Sequence, residues 1–243
     1  MSRERADKVL VARGLFESRA RAQAAIEAGL AFADGVQIKD PSTLIAADSR
    51  LEAQAPHPWV LRGGVKLAFA LEHFGASPKD KVCLDLGAST GGFCDVLLQG
   101  GAARVYAVDV GAGQLHRRVA ADPRLVNLEK TDSRKLNREL IPDAPGLITA
   151  DLSFIGLEKA LGPALALAAP GALLITLVKP QFQLGPERLG KGGVVKGEGA
   201  TAEAVALVSQ WLQGQSWRVQ GAVDSPILGG DGNREALLCA RRA

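Results

Sequence analysis

Two patterns of hydrophobic and polar positions divide the chain. Beyond residue 63, short apolar runs of strand length alternate with stretches of helical spacing. The strand-like runs cover 82–86, 105–108, 125–128, 147–150 and 173–178, and helices are predicted near 92–99, 114–121, 133–140, 157–168 and 201–213. This alternation predicts an α/β fold, a doubly wound and mostly parallel sheet with helices on both faces.

Two further strand-like runs end the chain, at 217–223 and 236–239. No helix is predicted between them, and a tight glycine-rich turn joins them. They therefore predict an antiparallel edge to the sheet. With these two runs the predicted sheet has seven strands and is Rossmann-like.

The first 55 residues follow a different order, two helices and then a small hairpin sheet. Ser18 is a suitable N-cap for the second helix and Gly29 a suitable end. Asp34-Gly35 separates two short apolar runs and predicts a two-residue turn, because both positions of that turn need positive φ. We therefore predict a small α+β domain over 1–55.

A proline-containing stretch follows, and we predict a linker over 56–62 and a second domain over 63–243. Apolar residues make up 47 % of the 243 residues, which suffices for a buried core. The longest apolar runs fall short of the roughly 20 residues that cross a bilayer, and no signal-peptide core follows the first residues. The three cysteines and three histidines lack metal-ligand spacing. We expect free thiols and a soluble, cytoplasmic, monomeric protein with no metal and no membrane partner.

The net charge of +3 does not by itself indicate a nucleic-acid partner, but residues 1–21 hold six basic side chains against three acids. A solvated surface is one interpretation of such a cluster. The segments 18–22, 26–29, 34–35 and 41–42 resemble the ribosomal-protein-type alpha-L RNA-binding fold. The resemblance implies that basic side chains of the second helix and its flanking turn bind RNA phosphates. The expected RNA-binding residues are Arg5, Arg13, Arg19, Arg21 and, at the end of the linker, Arg62. A small protein-binding domain is the alternative.

The first strand of the larger domain runs into a glycine-rich loop that opens a helix, an arrangement that builds a ligand site at the carboxyl edge of the sheet. Ser89 replaces the middle glycine of a nicotinamide fingerprint, and Asp85 ends the strand. Asp109 ends the next strand, where it can accept hydrogen bonds from a ribose. The pattern favours S-adenosylmethionine, although another nucleotide remains an alternative. The predicted cofactor-binding residues are Asp85, Gly87, Ala88, Ser89, Gly91, Gly92, Phe93, Asp109, Val110, Asp132 and Ser133.

Four charged residues are expected at the same edge. Lys66 lies on the helix that leads into the larger domain, Asp151 ends the fourth strand, Lys179 ends the fifth and Glu235 begins the last. Taken singly, each is more often a surface charge. Together, two lysines and two carboxylates at strand ends predict a buried, charge-balanced cluster.

The segments 85–93, 109–115, 151–155, 179–182, 192–195 and 232–235 resemble the TlyA family, FtsJ-like ribosomal RNA 2′-O-methyltransferases also known as haemolysins. The resemblance implies a catalytic tetrad of Lys66, Asp151, Lys179 and Glu235, the cofactor S-adenosylmethionine, and ribosomal RNA or ribosomal subunits as partner. Cys94 stands where the family commonly has threonine, which leaves the choice of substrate open.

The resemblance implies direct transfer of the methyl group to a ribose 2′-hydroxyl, with a cytidine of large-subunit RNA as the expected target and a small-subunit site as the alternative. Lys179 is expected to orient and help deprotonate that hydroxyl, with Lys66 beside it. Two other functions stay open, a membrane-active haemolysin and a non-catalytic ribosome assembly factor.

Overall fold

A computed structural model describes residues 3–197, 199–229 and 232–243. The chain forms two compact units, Met1–Pro58 and Trp59–Ala243. Over the described residues no helix is long and apolar enough to cross a membrane. Cys83, Cys94 and Cys239 are buried free thiols, as predicted.

The first unit is a small α+β fold. Its elements are β1 Arg3–Arg5, α1 Ala6–Ala12, α2 Arg19–Glu27, β2 Ala31–Ala33, β3 Val36–Gln37, β4 Leu44–Ala46 and β5 Leu51–Ala53. Strand β2 pairs antiparallel with β3 and β5, and β1 pairs antiparallel with β4. Leu10 and Ile26 of the two helices share one buried cluster with Ile38 and Ile45.

The predicted helices and hairpin of this unit are confirmed. Ser18 accepts a hydrogen bond from the Arg21 backbone N–H, and Gly29 ends the second helix at φ +74°. Strands β1 and β4 were not predicted. Strand β1 consists of charged residues alone, so no apolar alternation marks it, and its pairing with β4 is a tertiary contact.

The second unit is a seven-stranded α/β sheet with helices on both faces. Its helices are α3 Gly63–His73, α4 Gly92–Gln99, α5 Arg117–Ala120, α6 Leu157–Ala160, α7 Gly162–Leu167, α8 Pro180–Gln183 and α9 Ala200–Gly214. Its strands are β6 Val82–Leu86, β7 Arg104–Val108, β8 Leu125–Leu128, β9 Leu147–Ala150, β10 Leu173–Val178, β11 Trp217–Asp224 and β12 Ala236–Arg242.

The sheet order is β11-β12-β10-β9-β6-β7-β8. The strands from β10 to β8 are parallel, whereas β12 is antiparallel to both of its neighbours. The predicted Rossmann-like sheet and its antiparallel edge are confirmed. The predicted tight turn between the last two strands is wrong, because β11 ends at Asp224 and β12 begins only at Ala236.

Three predicted helices are shorter than their apolar spacing indicates. The stretch near 114–121 is helical only in α5, the stretch near 133–140 forms only a 3₁₀ turn at Ser133–Lys135, and the stretch 157–168 is divided into α6 and α7. The Asn137 side chain accepts the backbone N–H groups of Glu139 and Leu140, which competes with helical hydrogen bonding. Pro163 lies in the first turn of α7 because it has no N–H to continue α6.

The two faces of the sheet have separate cores. Leu84 and Leu86 of β6 belong to the core that α6, α7 and α9 cover, whereas Cys83 belongs to the core under α3 and α4. Successive side chains of a strand point to opposite faces. Asp85 therefore points towards α4.

Candidate active site

The four predicted tetrad residues meet at the carboxyl edge of the parallel strands. Asp151 follows β9 and Lys179 follows β10, and these strands are neighbours. Glu235 precedes the antiparallel β12, whose first residue Ala236 pairs with Val178 of β10. The strand order thus brings three residues that are far apart in sequence to one place.

The tetrad forms two ion pairs, each with a buried lysine. Lys66 Nζ lies 2.5 Å from Glu235 Oε2, and Lys179 Nζ lies 2.6 Å from Asp151 Oδ1. Lys179 Nζ also donates a hydrogen bond of 2.9 Å to Ser153 Oγ. Lys66, Lys179 and Glu235 are at most 8 % exposed. The pairing matters because an uncompensated charge buried to this degree would be strongly destabilising. The predicted charge-balanced cluster is therefore present.

Two glycines let helix α3 approach the cluster. A Cβ on Gly64 would lie 2.6 Å from the Trp59 side chain, so Trp59 packs directly on the backbone of the first turn. A Cβ on Gly63 would lie 3.9 Å from Asp151 Oδ2. The first turn of α3 thus lies beside Asp151, and Lys66 follows in the same turn. The helix joins the two ion pairs into one site.

A cavity of about 440 Å³ opens beside Asp151. Of the predicted cofactor-binding residues, six line it, namely Gly87, Ser89, Asp109, Val110, Asp132 and Ser133. Residues that were not predicted also line it, among them Gln114, Thr131, Arg134 and the segment 152–155. The cavity therefore extends from the ends of β6, β7 and β8 to Asp151 of the predicted tetrad.

Two carboxylates of this cavity are held by local hydrogen bonds. Asp109 accepts the backbone N–H groups of Ser89 and Gly111, each at 2.7 Å. Asp132 accepts hydrogen bonds from the backbone and side-chain N–H groups of Arg134, and these hydrogen bonds lower the pKa of the Asp132 carboxyl group to about 2. Each carboxylate oxygen can accept more than one hydrogen bond. Both carboxyl groups thus have a fixed orientation at the cavity.

Five predicted cofactor residues lie outside the cavity lining, namely Asp85, Ala88, Gly91, Gly92 and Phe93. Phe93 and Ala88 are core residues, and Gly91 is the N-cap of α4 at φ +92°. A Cβ on Gly92 would lie 3.2 Å from Leu61 and 3.3 Å from the Gly64 backbone. These residues shape the loop behind the cavity.

Asp85 is fully buried behind that loop rather than exposed to a ligand. Its carboxylate accepts hydrogen bonds from Thr149 Oγ1 at 2.7 Å and from Cys94 Sγ at 3.0 Å. Burial raises its pKa to about 6, and the two hydrogen bonds offset part of that effect. Near neutral pH, burial of the ionised Asp85 carboxylate therefore costs folding free energy.

We expect Asp85→Asn to remove this cost. The folded-state pKa of Asp85 is raised above the ordinary value of 3.8, so the native protein keeps this proton up to a higher pH than the unfolded chain does. The free energy of unfolding therefore falls as pH rises from about 4 to 6. Asparagine cannot ionise, so the variant should gain stability relative to wild type over that window, by up to about 3 kcal/mol at pH 7. Thermal unfolding of both proteins from pH 4 to 7.5 measures this, and a difference independent of pH would contradict it.

Phe154 is a further candidate active-site residue, and it was not among the residues predicted from the sequence. It is 92 % exposed at the cavity, adopts φ +65°, and its ring centroid lies 5.2 Å from that of Phe182. Lys179 Nζ lies 5.9 Å from the Phe182 ring. The sequence did offer one signal for Phe154, because an aromatic residue lies in the loop directly after the strand-end acid Asp151. Its exposure and backbone strain could only come from the structure.

A second cavity of about 700 Å³ is lined by residues next to Lys179 and Glu235 in the chain, among them Pro180, Val195, Thr201, Asn233 and Arg234. Asn233 is 2 % exposed. Its Oδ1 accepts the Val195 N–H at 2.9 Å, and its Nδ2 donates to the Gly193 carbonyl at 3.1 Å. The segment that follows Lys179 is thus tied to the residues that precede Glu235.

The predicted RNA-binding arginines have different partners. In the first unit, Arg5 and Arg19 converge on the carboxylate of Asp7, and Arg13 donates to the Ala47 carbonyl at 2.9 Å. Arg21 contributes its backbone N–H to the Ser18 cap. In the second unit, Arg62 Nη2 lies 3.5 Å from the Leu228 carbonyl. The structure thus brings two of the five together.

Comparisons with known proteins agree on one family. A family model described as FtsJ-like methyltransferase matches residues 59–242. The 16S/23S rRNA (cytidine-2′-O)-methyltransferase TlyA of Mycobacterium tuberculosis is 42 % identical over 98 % of this chain and 90 % of its own. Hemolysin A of Brachyspira hyodysenteriae is 34 % identical over 96 % of this chain and 98 % of its own. A solved structure described as a hemolysin of Streptococcus thermophilus is 35 % identical, with a TM-score of 0.78 over 100 % of this chain and 90 % of its own.

Proposed function

The chain belongs to the FtsJ-like methyltransferase family, and we propose that it methylates a ribose 2′-hydroxyl in ribosomal RNA, at a cytidine. The observation that carries this proposal is the pair of buried lysine–carboxylate ion pairs at the edge of the larger sheet, beside a cavity of nucleoside size. We expect the chain to act as a cytoplasmic monomer on ribosomal subunits, with a large-subunit cytidine as the first candidate.

The residues of the smaller cavity fit S-adenosylmethionine, which supplies an activated methyl group when bound. Asp109 presents a fixed carboxylate suited to the two hydroxyls of a ribose. Val110, Leu152 and Ile155 give the cavity apolar walls suited to a purine. Asp151 places negative charge at the end nearest the lysines, where a cationic sulfonium would be favoured. We therefore assign the cavity to this cofactor.

Lys179 is the residue we assign to the acceptor hydroxyl. Asp151 and Ser153 hold its Nζ from two sides, so the nitrogen has one orientation. In its neutral form the amine accepts the proton of the 2′-hydroxyl, and Asp151 stabilises the ammonium that results. Because charge on the sulfonium disappears as the new bond forms, alignment of the reactants supplies much of the rate.

Lys66 and Glu235 support this arrangement from the opposite side. Glu235 neutralises Lys66, which limits repulsion between the two lysines. The second cavity is lined by Pro180, Thr201, Asn233 and Arg234, next to Lys179 and Glu235 in the chain, so we assign it to the RNA side of the site. We assign the first 55 residues to RNA binding through Arg5, Arg13, Arg19 and Arg21, and Arg62 of the second unit to the same task.

We expect Phe154→Ala to weaken RNA binding with little change in fold. The ring is almost fully exposed beside Asp151, where it can stack on the target base. Stacking of a base on an aromatic side chain contributes about 1–3 kcal/mol, so KM for RNA should rise about 5- to 150-fold. Steady-state kinetics with separate titration of RNA and cofactor measures this. Phe154→Tyr, which keeps the ring, is the control, and an alanine variant with unchanged KM would contradict the assignment.

A digest of the methylated product tests the proposal. The protein is incubated with ribosomal subunits and S-adenosylmethionine labelled in its methyl group, and the RNA is hydrolysed to nucleosides. We expect the label in 2′-O-methylcytidine. Label in a base-methylated nucleoside would overturn the assignment to the ribose. An absence of label would favour a non-catalytic assembly factor, and lysis of erythrocytes by the same preparation would favour a haemolysin.

A further inference from the structure

Asp7 is a buried acid in the basic N-terminal segment. It is the second residue of α1, and its side chain is 0 % exposed. Arg5 donates to both oxygens, through Nε to Oδ1 at 3.1 Å and through Nη2 to Oδ2 at 3.0 Å. Arg19 Nη2 donates to Oδ2 at 2.8 Å, and Gln23 Nε2 donates to the same oxygen at 2.7 Å. Three side chains from two parts of the unit therefore converge on one carboxylate.

The two arginines remain partly accessible to solvent. Their side chains are 38 % exposed for Arg5 and 51 % exposed for Arg19. A guanidinium has five N–H donors in a rigid plane, so a group bonded to Asp7 through one edge keeps donors for a second anion. Two positive charges face one negative charge, and the cluster stays cationic. Its accessible edges suit a phosphate.

Hydrogen bonds from Arg5, Arg19 and Gln23 hold the pKa of Asp7 well below its usual range, against the opposing effect of burial. The carboxylate is therefore ionised at any pH at which RNA binding would be measured. Its charge lowers the attraction of this segment for RNA, because it cancels one of the two guanidinium charges. Asp7 therefore weakens the electrostatic attraction for RNA. Its favourable contribution to RNA binding would be the orientation of Arg5 and Arg19.

We propose that Asp7 is a positioning residue for RNA binding, which holds Arg5 and Arg19 side by side as a paired contact for one backbone phosphate of the RNA. The inference rests on the proposed function, in which the first unit binds ribosomal RNA. Two guanidinium groups that are already ordered lose less side-chain entropy when they bind. Paired Arg–phosphate hydrogen bonds are also directional as well as strong.

Asp7→Asn distinguishes the effect of arginine orientation on RNA binding from the effect of net charge. The variant keeps the size of the side chain but makes the unit more positive by one charge, so electrostatics alone predicts tighter RNA binding. Positioning predicts the opposite, a rise of about tenfold in the Kd for purified 23S rRNA and in KM for RNA, with kcat and KM for S-adenosylmethionine unchanged. The slope of log Kd against log salt should also become shallower by about one phosphate contact.

Glu52→Gln is the matched control. Glu52 forms an exposed ion pair with Arg50 at 3.0 Å in the same unit, and the substitution makes the same change in charge. Its Kd should equal that of wild type or be slightly lower. Arg19→Lys is a second test that leaves Asp7 itself in place, because it keeps the positive charge and removes only the planar fork that donates to Asp7. We expect a Kd several-fold higher with an unchanged melting temperature.

The outcomes distinguish this inference from the proposed function. If Asp7→Asn melts like wild type and binds 23S rRNA as tightly or more tightly, the inference is overturned. If Asp7→Asn unfolds the unit, Arg19→Lys decides, and an unchanged Kd overturns the inference. If wild type binds rRNA with the expected dependence on Asp7 but transfers no methyl group, the proposed function fails and the inference stands. Failure of wild type to bind rRNA overturns the inference as well.

Discussion

Lys179→Ala should abolish methyl transfer and leave cofactor binding largely intact. The substitution removes the amine that Asp151 and Ser153 contact, and Lys179 does not line the cavity assigned to the cofactor. Loss of a positioned proton acceptor costs about 10²- to 10⁴-fold in rate. Single-turnover transfer to ribosomal subunits measures the rate, and calorimetric titration of S-adenosylmethionine measures the binding.

Two further variants make this prediction specific to the amine. Lys179→Met keeps most of the side-chain volume and should lose as much activity as the alanine variant. Lys159→Ala removes an exposed lysine of α6 and should keep wild-type activity. Turnover of Lys179→Met close to that of wild type would show that the amine takes no part in the reaction.

Gly87→Ala should damage both the fold and the site. A Cβ at this position would lie 2.5 Å from the backbone carbonyl oxygen of Asp151, and the residue adopts φ +79°. Relief of the clash must move either the end of β6 or Asp151, and a displacement of about 1 Å can reduce activity about 100-fold. We also expect a loss of about 2–4 kcal/mol in the free energy of unfolding, from strain and overpacking combined. Denaturant unfolding and turnover measure the two effects.

Gly171→Ala is the control for backbone strain alone. Gly171 adopts φ +70°, and nothing lies within 4 Å of a Cβ built on it. It precedes β10, at the opposite edge of the sheet from the tetrad. Its variant should lose only about 1–2 kcal/mol of stability and keep wild-type turnover. Equal activity in the two variants would contradict the role of Gly87 in placing Asp151.

The sheet and the tetrad were predictable from the sequence for one physical reason. Strands buried on both faces form continuous apolar runs, and a residue that follows such a run lies at a known edge of a parallel sheet. Asp151 and Lys179 follow from that rule. Glu235 follows from the antiparallel strand β12, which begins where the neighbouring β10 ends.

The parts that were not predicted depend on contacts between distant residues. Asp85 lies near the end of β6, where a ligand-binding acid would lie, but Leu84 and Leu86 occupy the other core, so its side chain faces α4. Asp7 resembles a solvated charge until Arg5 and Arg19 are brought to it from β1 and α2. In each case the residue type indicated a charged group of interest, but packing decided the direction in which the side chain points.

We propose that this chain methylates ribose 2′-hydroxyls of ribosomal RNA, and mapping of 2′-O-methyl groups at nucleotide resolution is the decisive experiment. Ribosomal RNA is compared from cells that carry the gene, cells that lack it, and cells that carry the Lys179→Ala form. We predict 2′-O-methylation at one or a few cytidines with the wild-type gene alone. The same 2′-O-methylation map in all three RNAs would contradict the account.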